Sequence, residues 1–111
     1  MTSMEMKRGD LEPDLVITVE DASGVANLNQ VTSWRVIGKQ HGAVVVDGAP
    51  TSVTVDPGNE SKATLARAWE TGETADVGDM QIEVEAMWPG GRPQTFPASG
   101  YGVVRIRADL G

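Results

Sequence analysis

The chain has 111 residues, of which 40% are hydrophobic and 23% are charged. This composition is typical of one folded domain and excludes a disordered tail. The formal net charge of -7 at pH 7 opposes binding along a nucleic-acid backbone and attachment to an anionic membrane surface. The chain contains no Cys, which excludes disulfides and thiolate metal sites, and no apolar run approaches the roughly 18 residues that span a bilayer. A protein or a neutral ligand is therefore the expected partner.

Hydrophobic and polar residues alternate at period two along the first half of the chain, which is typical of β-strands. This alternation predicts strands over residues 15–20, 31–39 and 51–55, and a short apolar run within residues 41–46 predicts another. Turn signals separate these segments, at Asp21-Ala22-Ser23-Gly24, Asp47-Gly48 and Asp56-Pro57-Gly58-Asn59.

The segment from residue 63 to residue 70 has two interpretations. Its Ala, Leu and Arg content favours a helix, and the spacing of Leu65 and Trp69 suits one helical face. The same segment also alternates at period two, with Leu65, Arg67 and Trp69 on one side, and all its neighbours are predicted strands. We therefore predict a strand here.

The second half of the chain contains the clearest strand pattern. Over residues 80–88, Met, Ile, Val, Ala and Trp occupy one face, while Gln, Glu, Glu and Met occupy the other. Pro89-Gly90-Gly91 predicts a hairpin turn to a partner strand over residues 92–96, and a final strand is predicted over residues 101–108. Seven to eight short, mostly antiparallel strands predict an all-β, immunoglobulin-like sandwich over residues 11–111, preceded by an N-terminal arm of residues 1–10.

No cluster of residues points to catalysis or to a cofactor. His41 is the single histidine, it lies in a turn, and no nucleophile motif accompanies it. Glu83 and Glu85 share a strand face about 7 Å apart, a spacing that an inverting glycosidase could use, but paired acids on a polar strand face are usually solvated. Asp76 and Asp79 lie outside any Asp-rich calcium loop. We predict a protein that is not an enzyme and holds no metal.

Three tryptophans allow a second interpretation of the surface. Trp34, Trp69 and Trp88 could form a stacking platform for a sugar or a base, or they could fill the core. The apolar alternation around Trp34 and Trp88 favours the core for both. Trp69 is the candidate surface aromatic, and its placement stays open between core and surface.

The N-terminal arm is the candidate contact segment. It mixes apolar and charged side chains, and alone such a segment is expected to be disordered. We therefore expect it to be held by a partner protein. The residues proposed for this contact are Met4, Met6, Lys7 and Arg8.

Several turn and core motifs resemble the small β-sandwich domains of tailed-phage virions. The motifs are Lys7-Arg8-Gly9-Asp10, Pro13-Asp14-Leu15, Trp69-Glu70-Thr71-Gly72-Glu73-Thr74, Gly78-Asp79-Met80, Glu83-Val84-Glu85, Trp88-Pro89-Gly90-Gly91-Arg92, Gln94-Thr95-Phe96-Pro97 and Gly100-Tyr101. They are similar to the N-terminal domain of baseplate upper proteins and to short minor tail proteins of actinobacterial phages. The likeness covers residues 7 to 108.

This resemblance implies an immunoglobulin-like fold and a structural role in the virion, on the tail, on the baseplate or as a capsid decoration. It implies no cofactor and no catalytic residue, and it names other virion proteins, or further copies of the chain, as partners. In the baseplate proteins further domains follow this one, whereas this chain ends at residue 111, so an adaptor or decoration subunit is expected. The alternative from the residues themselves is a carbohydrate- or cell-surface-binding module.

Overall fold

The computed structural model describes residues 3–96 and 102–108. Within these two ranges the chain forms nine strands and one short 3₁₀ turn, Leu28–Gln30. The strands are β1 (Ser3–Lys7), β2 (Leu15–Glu20), β3 (Ser33–Gln40), β4 (Ala43–Gly48), β5 (Ser52–Asp56), β6 (Asn59–Arg67), β7 (Gly78–Trp88), β8 (Arg92–Phe96) and β9 (Gly102–Arg107).

The larger sheet is built around β7. Its strand order is β1-β9-β7-β3-β4, and β8 also pairs with β7. β3 runs antiparallel to β7 along one side, while β9 pairs with residues 78–82 and β8 with residues 84–88. The eleven residues of β7 alternate between buried and more exposed positions, which fits a central strand with one face in the core. β1 pairs with β9 in parallel, and all other pairings in this sheet are antiparallel.

The smaller sheet has three antiparallel strands in the order β2-β6-β5. β6 is its centre, and its register sets Ile17 of β2 and Val53 of β5 on either side of Leu65. The β-branched and aliphatic residues of these strands suit a pleated surface with one buried face.

A single hydrophobic core lies between the two sheets. Each sheet contributes alternate residues from its strands, as the period-two pattern requires. The fully buried large side chains include Leu15, Leu28, Val36, Val46, Leu65, Met80, Ile82, Val84, Phe96, Val104 and Ile106. Each such side chain contributes about 1.5–3 kcal/mol when buried, so this core is the main source of stability in a chain that contains no Cys.

The predicted all-β sandwich of short, mostly antiparallel strands is confirmed. The strand interpretation of residues 63–70 holds as far as Arg67, where β6 ends. The strand that contains the apolar run of residues 43–46 continues through Asp47 and Gly48. These two residues, which were predicted to form a turn, therefore belong to β4. The predicted start of the last strand at Tyr101 lies outside the described residues.

The segment after β6 is fixed by a buried ion pair. Arg67 donates to Glu73 at 2.8 and 2.9 Å, and Glu73 also accepts the backbone N–H of Glu70. The hydrogen bonds from Arg67 to Glu73 raise the pKa of the guanidinium, so Arg67 carries its charge at neutral pH. This contact closes the turn that leads toward β7.

Candidate functional site

The predicted contact arm belongs largely to the domain itself. Residues 3–7 form β1, so the prediction of a separate arm over residues 1–10 is wrong for that stretch. Met6 is 5% exposed and lies in the core, and Met4 packs against the core; their alternation with charged residues is that of an edge strand. Lys7 and Arg8 are exposed, and the Arg8 backbone N–H donates to the carbonyl of Arg107. A partner contact at Lys7 and Arg8 stays a prediction.

Trp69 is not a surface aromatic. Its side chain is buried at 5% exposure, and its indole N–H donates to the carbonyl oxygen of Pro13 at 3.0 Å. The indole N–H is therefore hydrogen-bonded within the protein, so burial of Trp69 leaves no unsatisfied donor. The suggestion that Trp69 faces solvent is corrected.

Trp34 and Trp88 are the two tryptophans that reach the surface. Both are half-buried and pack against the core, so the expected core placement of Trp34 and Trp88 holds only in part. Trp34 lies beside Phe96, with ring centroids 6.3 Å apart and planes tilted by 33°. Trp88 is the last residue of β7, just before a hairpin turn, and packs against the core.

An open groove of about 750 Å³ lies beside Trp88. One wall is the β7–β8 hairpin, which supplies Trp88, Arg92 and Gln94, and the other is the loop after β2. The loop supplies Asp21 and Asn27, and Gln30 follows from the 3₁₀ turn. We call this the Trp88 groove, defined by Asp21, Asn27, Gln30, Trp88, Arg92 and Gln94.

A chain of side-chain hydrogen bonds fixes the Trp88 groove from one wall to the other. The Trp88 indole N–H donates to Oε1 of Gln94 at 2.9 Å, and Nε2 of Gln94 donates to Oδ1 of Asp21 at 3.2 Å. Asp21 also accepts from the hydroxyl of Ser23. The hydrogen bonds from Ser23 and Gln94 lower the pKa of the Asp21 carboxyl below its ordinary value of 3.8, so it is ionised at neutral pH. The indole is thereby held in one orientation before any ligand arrives.

The groove combines opposite charges with amide groups. Arg92 is exposed and forms no ion pair among the described residues, so its guanidinium points its donors to solvent. Asp21 supplies a negative charge of equal size. The side chain of Asn27 accepts the backbone N–H of Asn29 and so caps the 3₁₀ turn. One ligand in the Trp88 groove could therefore contact an aromatic ring, hydrogen-bond donors and hydrogen-bond acceptors at the same time.

The free edge of β4 is a second candidate surface. β4 is the last strand of the larger sheet, and it pairs only with β3 in the part of the chain that the structure describes. Its sequence begins Ala43-Val44-Val45-Val46, and Val44 is 52% exposed. Unpaired backbone groups on an apolar edge strand are a template for pairing with another chain.

The acidic residues considered from the sequence do not form a site. Glu85 lies opposite Arg35 in the sheet register and Glu83 lies opposite Ile37, on the face away from the core, and neither lines the Trp88 groove. His41 lies in a turn with Nε2 3.1 Å from the carbonyl oxygen of Val77. Within residues 3–96 and 102–108, no three His, Asp or Glu side chains come together as metal ligands.

The groove could not be found by sequence reasoning, because its residues are far apart in the chain. Asp21 and Gln94 are separated by 73 positions and meet only when the two sheets stack. The single available signal was a Trp at the end of a strand that is followed by a tight turn.

No family model matches the chain, and no curated protein matches it. Among solved structures, the crystal structure of CopC from Methylosinus trichosporium OB3b is similar, with 12% sequence identity and a TM-score of 0.47. That match covers 100% of this chain and 89% of the CopC chain, and it carries no argument about function. Across the described residues, the helical structure is too short to cross a membrane.

Proposed function

We propose that this chain is a structural component of a tailed-phage virion, on the tail or baseplate or as a capsid decoration, and that it acts through protein–protein contacts and not as an enzyme. The resemblance of its turn and core motifs to virion β-sandwich domains supports the setting. The open edge of β4 supports the mode of action and carries the proposal.

The β4 edge is less protected than the edges of β1 and β5. The opposite edge strand of the same sheet, β1, places Glu5 and Lys7 along its length, and such charges disfavour pairing with another chain. In the smaller sheet, β5 carries Ser52 and Thr54 on its exposed side. β4 instead begins with four consecutive apolar residues, so a strand from a neighbouring subunit would gain both backbone hydrogen bonds and apolar burial.

The first experiment is mass spectrometry of particles purified from the phage that encodes the chain. A structural role predicts that the chain copurifies at a fixed ratio to the major capsid or tail-tube subunit. A ratio near one per capsid subunit would indicate decoration, and a low ratio would indicate a tail or baseplate position. Absence from the particles would overturn the virion proposal.

A pair of matched variants tests the β4 edge within that proposal. Val44→Glu places a charge on the edge, opposite Lys39 in the register, so the native fold keeps a favourable cross-strand pair. Val16→Glu is the control, because Val16 is 51% exposed on β2 of the other sheet, close to the 52% of Val44. Val44→Glu should reduce incorporation into particles while Val16→Glu leaves it unchanged. Equal incorporation of both variants would show that β4 is not the contact edge.

The alternative of a carbohydrate- or cell-surface-binding module is favoured by a separate observation, the half-buried Trp88 in its groove. A virion component and a glycan-binding surface are compatible in one domain.

A further inference from the structure

The Trp88 groove has features that protein contacts through a sheet edge do not require. It lies where the β7–β8 hairpin meets the loop after β2, whereas β4 is at an outer edge of the larger sheet. Its volume of about 750 Å³ lies within the range of small-molecule sites, about 300–1,000 Å³. Trp88, Gln94 and Asp21 are linked by hydrogen bonds although Asp21 is partly exposed, which points to a preorganised surface.

We propose that the Trp88 groove binds a neutral oligosaccharide. This proposal rests on the carbohydrate-binding alternative, to which it adds the site and the class of ligand, and it does not depend on the protein contacts proposed for the chain.

The aromatic ring is the first argument. The face of an indole ring is electronegative, and the C–H groups on the apolar face of a sugar ring carry partial positive charge, so the two surfaces attract and exclude water together. The Trp88 ring is held by the bond from its N–H to Gln94, so binding would cost little side-chain entropy. Half-burial leaves part of the ring available to a ligand while the rest contacts the core.

The polar groups around the ring are the second argument. A sugar hydroxyl both donates and accepts hydrogen bonds, and the groove offers acceptors at Asp21 and donors at Arg92, with the amide of Gln30 supplying both. The charges of Asp21 and Arg92 cancel, which fits a ligand with many hydroxyls and no net charge. The groove is open to solvent, so a ligand longer than one sugar unit can extend beyond it.

Charge argues against the competing stacked ligand, a nucleobase. A single-stranded nucleic acid needs a positively charged path for its phosphates, and Arg92 is the only cationic residue that lines the groove as the structure describes it. The net charge of the chain is -7, which would repel the backbone further.

The test is a nuclear magnetic resonance titration of the full ¹⁵N-labelled chain with four neutral oligosaccharides: maltohexaose, cellohexaose, chitohexaose and mannohexaose. The three tryptophans give three indole N–H signals. At least one oligosaccharide at millimolar concentration should shift the Trp88 signal and leave the Trp69 signal in place, because that indole is buried against Pro13. A proline-rich peptide serves as the competing probe, since such peptides also dock in aromatic grooves.

Two variants assign the binding to the groove. Arg92→Ala removes an exposed guanidinium and should weaken binding by about tenfold, the loss expected for one charged hydrogen bond. Arg35→Ala is the control, an exposed arginine of the same sheet outside the groove. It loses an ion pair with Asp47 but no groove contact, and should bind like the parent chain. Trp88→Ala should abolish binding; if that variant does not fold, Arg92→Ala decides the matter.

Three results would overturn the proposal. The first is that none of the four oligosaccharides shifts the Trp88 signal of the folded chain. The second is that Arg92→Ala and Arg35→Ala bind an oligosaccharide equally well. The third is that only the proline-rich peptide shifts the Trp88 signal, which would make the groove a peptide site. None of these results bears on whether the chain is found in particles, so the two proposals fail separately.

Discussion

The charged side chain of Arg67 is buried, and it forms an ion pair with the buried carboxylate of Glu73. The two side chains are 6% and 10% exposed, so water screens their attraction little. A pair of this kind adds little net stability over two apolar residues, yet it is very sensitive to the loss of one partner. Replacing only one of the two residues is therefore expected to destabilise the fold strongly.

Glu73→Gln should destabilise the domain strongly. It leaves the buried Arg67 guanidinium with only the exposed Glu70 carboxylate, 3.4 Å away, as its counter-charge. We expect a loss of about 3 kcal/mol in the free energy of unfolding, the lower end of the range for broken buried pairs. Urea denaturation followed by tryptophan fluorescence measures this loss. The double variant Arg67→Met/Glu73→Leu should lose clearly less than Glu73→Gln alone. A larger loss in the double variant would mean that the pair itself stabilises the fold.

Gly38 marks the tightest approach between strands of the core. A Cβ atom at this position would lie 2.8 Å from Sδ of Met80, 3.0 Å from Cβ of Val46 and 3.2 Å from Cδ1 of Ile82. Glycine is therefore required here for space, since any side chain must displace three core neighbours.

Gly38→Ala should lower the free energy of unfolding by about 1–2 kcal/mol. Overpacking typically costs about 1–3 kcal/mol, and the better strand propensity of Ala returns about 0.5–1 kcal/mol. Gly58→Ala is the control, because its Cβ would meet only Oδ1 of Asp56, at an ordinary 3.5 Å. The same urea titration should place that variant within about 0.5 kcal/mol of the parent chain. Equal stability of the two variants would show that the core yields at Gly38 without loss.

Among the elements, β1 is attached to the sheet along one side only. It is an edge strand held by one neighbour, β9, and by the side chains of Met4 and Met6. An ion pair on the exposed face adds to this attachment: Glu5 accepts from Arg107 at 2.8 Å. The hydrogen bond from Arg107, helped by its charge, lowers the pKa of Glu5 below its ordinary value of 4.5.

The contribution of Glu5 should depend on pH in a defined direction. Because the pKa is lower in the folded state than the 4.5 of the free side chain, the pair stabilises the fold above that pH and stops doing so as pH falls through the folded value. Glu5→Gln should therefore be less stable than the parent chain at neutral pH and equal to it in acid. Urea denaturation at neutral pH and at the lowest pH where the chain stays folded measures both differences. In an Arg107→Ala background the same substitution should give no pH-dependent difference; if it does, another cation is the partner.

The strands that were predictable are those with one clear buried face. β2 and β7 alternate over their whole length, so sequence period alone indicates their existence and the orientation of their side chains. β1 was missed because its two Met residues are separated by charged ones and the segment precedes the turn Arg8-Gly9-Asp10, which resembles the boundary of an arm. Its pairing partner, β9, is about 100 residues away, and no local pattern reports such a parallel pairing.

The burial of the tryptophans and the position of the Trp88 groove could not be predicted from the local hydrophobic pattern of the sequence. Trp69 follows β6, and its burial depends on the carbonyl of Pro13, 56 positions away. Trp88 shares the alternation of β7, which predicts that its side chain points toward the core. The alternation does not predict that Trp88 is only half-buried. Both outcomes are decided by how the two sheets overlap, and that overlap is a property of the assembled fold.

The whole molecule has one core, to which every sheet contributes. Residues of the larger sheet, of the smaller sheet and of the connecting segments belong to one buried cluster. Neither sheet can keep its apolar face out of water without the other, so neither is expected to be stable alone.

Unfolding should therefore be a single cooperative transition. Urea curves recorded by tryptophan fluorescence, which reports the surroundings of Trp34, Trp69 and Trp88, should coincide with curves recorded by far-ultraviolet circular dichroism. Trp69→Phe should shift both curves together to lower urea, because the carbonyl of Pro13 loses its donor. Separated curves in the parent chain would show that part of the sandwich unfolds by itself.

The parallel pairing of β1 with β9 also decides how the domain responds to tension. The chain enters the sheet at one end of this strand pair and leaves it at the other, so a pull between Ser3 and Arg107 drives the two strands past each other along their axes. All the backbone hydrogen bonds between them are then loaded in shear at the same moment, whereas an antiparallel terminal pair would be unzipped one bond at a time. The first and last strands of this domain thus form a mechanical clamp, and the domain can transmit a pulling force along its chain before any other part of the sandwich bears the load.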